Sequence, residues 1–282
     1  MKIIKFAHMS LYVTSINSGS NGNCYYVGNG NEAILIDAGI SCREIERRMA
    51  RLGLSIQRIK AIFISHEHSD HIKGLCRLSL KYHIPVYINQ ETLRATGFFI
   101  PPDQLRIFHS SAPIQVGDLQ ITPFAKYHDA VDPYSFVVEG GDIRVGVFTD
   151  IGRVCERVQY HFSQCHAVFL EANYDEELLD RGRYPYFLKN RIRGGHGHLS
   201  NKQALELFLN YRTQALSHLF LSHLSKDNNC PDLVAELFSA HANGIKIMVA
   251  SRYEESPIFE IKKSLQPAAI IPEIPPFPKT LF

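Results

Sequence analysis

The densest chemistry in this 282-residue chain lies in Ala61-Ile-Phe-Ile-Ser-His66-Glu-His68-Ser-Asp70-His71, where an apolar run meets four potential metal ligands within six residues. The alternate positions His66 and His68 can aim imidazoles at one ion, while the adjacent Asp70 and His71 can turn a carboxylate and an imidazole towards a second point close by. A lone histidine is usually structural or simply exposed, but this packing of ligand types reverses that reading. One loop can serve two ions.

A loop of this kind needs strands that end beside it and helices that hold those strands flat. Short β-rich runs are expected at Leu11 to Ile16, Asn23 to Val27, Ala33 to Asp37, Ala61 to Ser65 and Val86 to Ile88. Helical spacing is expected at Cys42 to Leu52, with Ile45, Met49 and Leu52 beneath an arginine face, and at Ile72 to Tyr82. A second β-rich stretch covers Leu119 to Phe124, Tyr134 to Glu139 and Ile143 to Thr149. It is followed by a helix at Val154 to Phe162, a strand at Ala167 to Leu170 and a helix at Asn201 to Tyr211. Strand Leu219 to Ser222, helix Pro231 to Ala242 and strand Lys246 to Val249 complete the pattern. Residues 1–264 read as a single α/β (α+β) domain, and 265–282 as a proline-rich tail.

Composition excludes more than it assigns. With 30 Lys+Arg against 28 Asp+Glu the formal net charge is +2, so any nucleic-acid affinity must come from a local patch and not from a global field. No apolar run approaches the roughly 18 residues of a membrane span, and Met1 to His8 lacks the apolar stretch of a leader, so a cytoplasmic protein without membrane contact is expected. The six cysteines show no C-x-x-C spacing, which argues for reduced thiols and against a disulfide frame or zinc ribbon.

The H-x-H-x-D-H loop resembles the signature of the metallo-β-lactamase-fold hydrolases, and further segments resemble that family in the right order. Ile34-Leu-Ile-Asp37-Ala-Gly39 is similar to its strand-terminal aspartate, which implies that Asp37 orients the ligand loop from behind. His128 in Tyr-His-Asp, Asp150 in Val-Phe-Thr-Asp and His223 in Leu-Phe-Leu-Ser-His resemble its remaining ligands. The resemblance implies a four-layer αββα sandwich. It also implies one metal on His66, His68, His128 and Asp150, and a second on Asp70, His71, Asp150 and His223. Five imidazoles and two carboxylates suit Zn²⁺, although Mn²⁺ or Fe²⁺ could occupy the same donors.

Two divalent ions roughly 3.5 to 4 Å apart would hold a bridging hydroxide as nucleophile. Set against Asp70, Asp150 and that hydroxide, they leave a centre of about +1, which favours an anionic phosphodiester. The resemblance implies no antibiotic hydrolysis, and the Asp70 form of the loop is shared by nucleases, glyoxalase II-type thioesterases and lactonases.

Glu171 in Phe-Leu-Glu-Ala-Asn-Tyr-Asp and His198 in Gly-His-Leu-Ser-Asn resemble the proton-shuttling pair of tRNA 3′-processing endonucleases. This implies catalytic parts for Asp70, for His198 as general acid and for Glu171 as its orienter. The plainer alternative is a strand-end carboxylate and a histidine that merely precedes a helix. Between the two, Arg181, Arg183, Lys189, Arg191 and Arg193 interleave with Tyr184, Tyr186 and Phe187, either as a phosphate-and-base contact surface or as a solvated loop face. Ser18-Gly-Ser20-Asn21-Gly-Asn23 could offer N–H groups to a phosphate, or could be a simple hairpin turn.

Together with Asn17 to Asn23, Glu171 to Asp175, Gly197 to Asn201 and Ser222 to Asn229, these motifs resemble the YycJ/WalJ-type branch over roughly residues 14 to 250. That implies a 5′ to 3′ exonuclease with nucleic acid, DNA foremost, as its partner. An RNA-processing nuclease, a phosphodiesterase for a small cyclic phosphodiester and a non-catalytic metal-binding module are the alternatives. Oligomeric state is not encoded in these motifs.

Overall fold

A computed structural model describes residues 10–109 and 112–263. The proline-rich stretch read at 265–282 lies outside the described residues. In chain order the strands are β1 Leu11–Asn17, β2 Cys24–Gly28, β3 Ala33–Ile36, β4 Ile59–Phe63, β5 Val86–Ile88, β6 Leu105–Ile107, β7 Ile114–Val116, β8 Leu119–Ala125, β9 Tyr134–Gly140, β10 Ile143–Phe148, β11 Ala167–Glu171, β12 His218–Ser222, β13 Lys246–Val249 and β14 Phe259–Ile261. The α-helices are α1 Cys42–Arg51, α2 Ser69–Ile72, α3 Leu75–Tyr82, α4 Gln90–Thr96, α5 Glu156–Phe162, α6 Glu176–Arg181, α7 Tyr186–Arg193, α8 Asn201–Tyr211 and α9 Pro231–Ser239.

Two seven-stranded sheets form, with orders β14-β1-β2-β3-β4-β5-β6 and β13-β12-β11-β10-β9-β8-β7. Each is antiparallel at one end and parallel at the other: β3 to β6 run parallel in the first, and β10 to β13 in the second. A parallel strand buried on both faces must be apolar at nearly every position. Ile34 and Ile36 of β3 accordingly enter the core between the sheets with Tyr25, Phe63, Phe136 and Phe169. Ala33 and Leu35 of the same strand face Ile45 and Met49 of α1 and Leu75 and Leu78 of α3. On the far side, Val168 and Leu170 of β11 pack under Val158, Phe208 and Phe238 of α5, α8 and α9. The result is the expected helix, sheet, sheet, helix layering.

Three local departures from the sequence reading have physical causes. The helix expected over Ile72 to Tyr82 is two helices, because the carbonyls of Asp70 and His71 accept from the N–H groups of Asn23 (2.7 Å) and Ala38 (2.8 Å). Those carbonyls would otherwise continue the helical ladder. The basic stretch read as a contact surface or loop face holds α6 and α7, and α7 buries none of its residues. The strand expected to reach Ser65 ends at Phe63, which frees Ser65 to bond behind the ligand loop.

All six cysteines are free, as expected, and burial pushes Cys42 and Cys165 up to about 12. Phe169 stacks on Phe220 at 4.5 Å and lies 5.0 Å from Tyr25 of the opposite sheet. Phe169→Ala is expected to lower the unfolding free energy by about 3–5 kcal/mol in urea titrations at fixed metal concentration. Phe99→Ala, at a side chain 78% exposed, should change it by less than about 0.5 kcal/mol.

Candidate metal centre

Loops beyond the carboxyl ends of the parallel strands converge on one edge of the sandwich, the usual ligand-bearing edge of such sheets. Asp37 follows β3, His66 to His71 follow β4, Asp150 follows β10, Glu171 ends β11 and His223 follows β12. His128 follows β8, which runs parallel to β10 because both are antiparallel to β9. Asp37, Asp150 and His223 take left-handed backbone, with φ of 62°, 54° and 56°. Such geometry is uncommon outside glycine and persists only where the surroundings fix it.

The seven ligands expected from the sequence meet here. Nitrogen and oxygen atoms of His66, His68 and His128 form one group within 4.8 Å, and those of Asp70, His71 and His223 form another. A third group, His66, His71 and Asp150, links them. Asp150 lies 3.2 Å from His71 Nε2, 3.5 Å from His223 Nε2 and 3.7 Å from His128 Nε2. Although buried, His128 Nε2, His223 Nε2 and Asp150 Oδ2 have no hydrogen-bond partner among the described residues. Buried polar atoms left unpaired at a shared point are costly unless something else satisfies them. The donor set of imidazole and carboxylate is what a borderline divalent cation takes, so the residues present fit two metal ions.

Four of the five imidazoles, those of His66, His71, His128 and His223, are held from behind through Nδ1, which leaves Nε2 as the lone pair. Asp37, fully buried, accepts from the Ser65 N–H (2.8 Å), the Ser65 hydroxyl (2.8 Å) and His71 Nδ1 (2.7 Å). Ser65 Oγ also lies 2.9 Å from His66 Nδ1. His128 Nδ1 donates to the Gly197 carbonyl at 3.0 Å. Glu171 Oε1 accepts from His223 Nδ1 (2.9 Å) and His198 Nδ1 (2.8 Å), and its Oε2 from the N–H groups of Ile151 (2.7 Å) and Leu199 (3.1 Å). Glu171, His198, Asp150 and His223 also cluster as a possible ion site. With both its oxygens occupied by donors, however, Glu171 acts as an anchor and not as a ligand. The sequence paired it with His198; the structure adds His223 to the same carboxylate.

Electrostatics follow from burial and charge. Burial pushes His66 well down and holds His128 at about 4. Burial also pulls on His223, but Asp150, Asp70 and Glu171 outweigh it and lift His223 to about 10. His71 is lifted likewise by Asp150, Asp37 and Asp70 against its burial. Burial alone would raise Glu171, yet His198 and His223 hold it at about 2. Lys126, buried with Nζ on the Thr149 carbonyl at 2.7 Å, sets a cation near these carboxylates.

The sequence reading missed several supports, each lying inside a segment it had singled out. Asn23 places Nδ2 3.1 Å from His71 Nε2 and 3.3 Å from Asp70 Oδ2. Ser18 Oγ accepts the His223 N–H at 2.8 Å, and Asn173 Nδ2 donates to the His223 carbonyl at 2.8 Å. Ser20 and Asn21 sit exposed in a turn closed by Gly22 N–H to Gly19 carbonyl at 2.9 Å. Among the basic residues, Arg191 is held by Asp129 and Arg193 by Asp180, both at 2.5 Å, and Lys189 donates to the Asp180 carbonyl. Arg183 has no such partner among the described residues.

The sequence matches the profile of the β-lactamase superfamily domain over residues 32–223. It is 36% identical over 228 residues to "Exodeoxyribonuclease YycJ" of Bacillus anthracis, covering 80% of this chain and 86% of that protein. It is 34% identical over 221 residues to "Exodeoxyribonuclease WalJ" of Streptococcus pneumoniae, covering 77% and 82%. Among solved structures, the metallo-β-lactamase fold protein YhfI of Bacillus subtilis superposes with a TM-score of 0.69 at 16% identity, over 89% of this chain and 99% of that one.

A metal ligand must be unprotonated, so loading competes with the protons held on His71 and His223. At pH 7, metal titration should release protons and weaken as the pH falls. Calorimetry in two buffers of different ionisation enthalpy reads this, and no net proton release would contradict it.

Proposed function

The chain belongs to the metallo-β-lactamase superfamily, and from that premise we propose that it is a dinuclear metal-dependent phosphodiesterase, a DNA exonuclease working 5′ to 3′. The observation that carries the reading is His198: it is fixed by Glu171 at 2.8 Å beside Asp150, and its side chain is 20% exposed where Glu171 and His223 are closed off. A buried ligand cluster with one accessible, carboxylate-held imidazole at its rim suits hydrolysis that must protonate a poor leaving group.

His66, His68, His128 and Asp150 would hold one ion, and Asp70, His71, Asp150 and His223 the other, with Zn²⁺ or Mn²⁺ as the candidates. When bound, two such ions supply a nucleophile from water at neutral pH and offset charge on the phosphoryl oxygens. The rest falls to the chain's own side chains. Asp37 and Glu171 fix imidazole orientation. His198 keeps Nδ1 on Glu171 and has Nε2 to deliver a proton to the oxygen that leaves phosphorus.

A nucleic-acid substrate suits the surroundings. Tyr186 and Phe187 of α7 are 79% and 73% exposed, Arg183 is uncommitted among the described residues, and such aromatic and cationic mixtures hold single strands. Arg191 and Arg193 would have to exchange Asp129 and Asp180 for phosphate. No helix among the described residues is long and apolar enough to cross a membrane, and the free thiols fit a cytoplasmic location.

Metal-loaded protein is expected to release mononucleotides from the 5′ end of an end-labelled, 5′-phosphorylated duplex. Asp70→Ala should abolish this. His198→Ala should lower kcat by about 10²–10⁴-fold with metal content unchanged. An active Asp70→Ala variant would rule out the two-metal mechanism, and products released from the 3′ end would rule out the polarity. Neutralising Arg183, Lys189 and Arg191 together should raise KM for the polymer and spare a small diester; equal loss on both would favour a small cyclic phosphodiester.

A further inference from the structure

Beside the metal centre, and separate from its ligands, lies a cavity of about 200 Å³ between the loops that follow β12 and β13. Its wall includes Ser18, Leu224, Ser225, Lys226, Arg252 and Tyr253. Two of these tie it to the centre: Ser18 accepts the His223 N–H, and Leu224 is the next residue in the chain. The volume falls below the roughly 300–1,000 Å³ of pockets that enclose whole drug-sized ligands. It therefore fits the end of a chain better than a free-standing cofactor.

Its charge is unspent. Arg191 and Arg193 are committed to carboxylates, but neither Lys226 nor Arg252 forms an ion pair among the described residues. The Arg252 side chain lines the cavity, and among the described residues its Nη1 is buried without a hydrogen-bond partner, a state that costs free energy. The guanidinium is also placed by close packing. Gly19 has φ of 137°, and a Cβ there would stand 3.3 Å from both Cβ and Nη2 of Arg252. Asn21 Nδ2 holds the Arg252 carbonyl at 2.9 Å. At the rim, Tyr253 is 72% exposed, an aromatic face with no structural duty in the core.

We propose that this cavity binds the 5′-phosphate at the end of the DNA strand being degraded, with Arg252 and Lys226 as its cationic contacts and Tyr253 stacking on the first base. Recognition of a terminal phosphate one residue beyond His223 would set the strand end at a fixed distance from the ligand cluster. This rests on the exonuclease reading for the identity of the strand, while the anion site itself rests on the unpaired guanidinium.

The test measures binding calorimetrically, with thymidine 5′-monophosphate, thymidine 3′-monophosphate and thymidine, to the metal-loaded protein and to Arg252→Ala and Lys226→Ala. Wild type should prefer the 5′-monophosphate, and each variant should weaken that ligand by about tenfold while leaving thymidine binding unchanged. Lys226 is exposed, so its variant keeps the test valid if Arg252→Ala fails to fold. Equal binding of both monophosphates, or variants that bind as wild type does, would overturn the assignment. Duplexes with 5′-phosphate and 5′-hydroxyl ends separate it from the parent reading. Degradation of both at equal rates would remove the phosphate pocket and keep the exonuclease. Phosphate-selective binding without DNA degradation would keep the pocket and remove the exonuclease.

Discussion

Two buried carboxylates hold this site together. Asp37 stands just past the end of β3 in one sheet and Glu171 at the end of β11 in the other, and each accepts from backbone N–H and imidazole together. A buried carboxylate is stable only when its lone pairs are filled. Filling them with histidines turns each ring so that its other nitrogen faces the common centre. The orientation of His71 and, through Ser65, of His66 follows from Asp37; that of His223 and His198 follows from Glu171. Positioning the metal ligands and satisfying the buried charge are therefore one physical requirement.

The sandwich serves that requirement by bringing strand ends together. Parallel strands share one carboxyl edge, so residues far apart in sequence meet without long loops. The chain turns off its strands sharply at Asp37, Asp150 and His223, each in left-handed backbone. Hydrogen bonds such as the Asp37 N–H to the Phe63 carbonyl at 2.8 Å and the His223 N–H to Ser18 at 2.8 Å keep those turns in place. Strain is thus concentrated at the ligands and offset by the apolar layers beneath them.

Much of this was legible in the sequence. Ligand types have chemical identities that spacing cannot hide, and β-rich runs ending in His or Asp already say that the ligands sit at strand ends. Asn201–Tyr211 and Lys246–Val249 came out at their observed bounds because their apolar periodicity is uninterrupted. The break between α2 and α3 was not legible, since it depends on carbonyls captured by Asn23 and Ala38 from distant segments. Three-residue edge strands such as β6, β7 and β14 carry too little pattern to be seen. The double engagement of Glu171, and the difference between the paired Arg191 and the unpaired Arg252, exist only in three dimensions.

The central proposal is that seven side chains, three of them oriented by Asp37 and Glu171, take up two divalent ions that share Asp150. Elemental analysis of dialysed, metal-saturated protein beside Asp150→Ala tests it directly. The account predicts two ions per chain in the wild type and fewer than one in the variant. A wild type that retains one ion or none, or an Asp150→Ala variant that retains two, would contradict it.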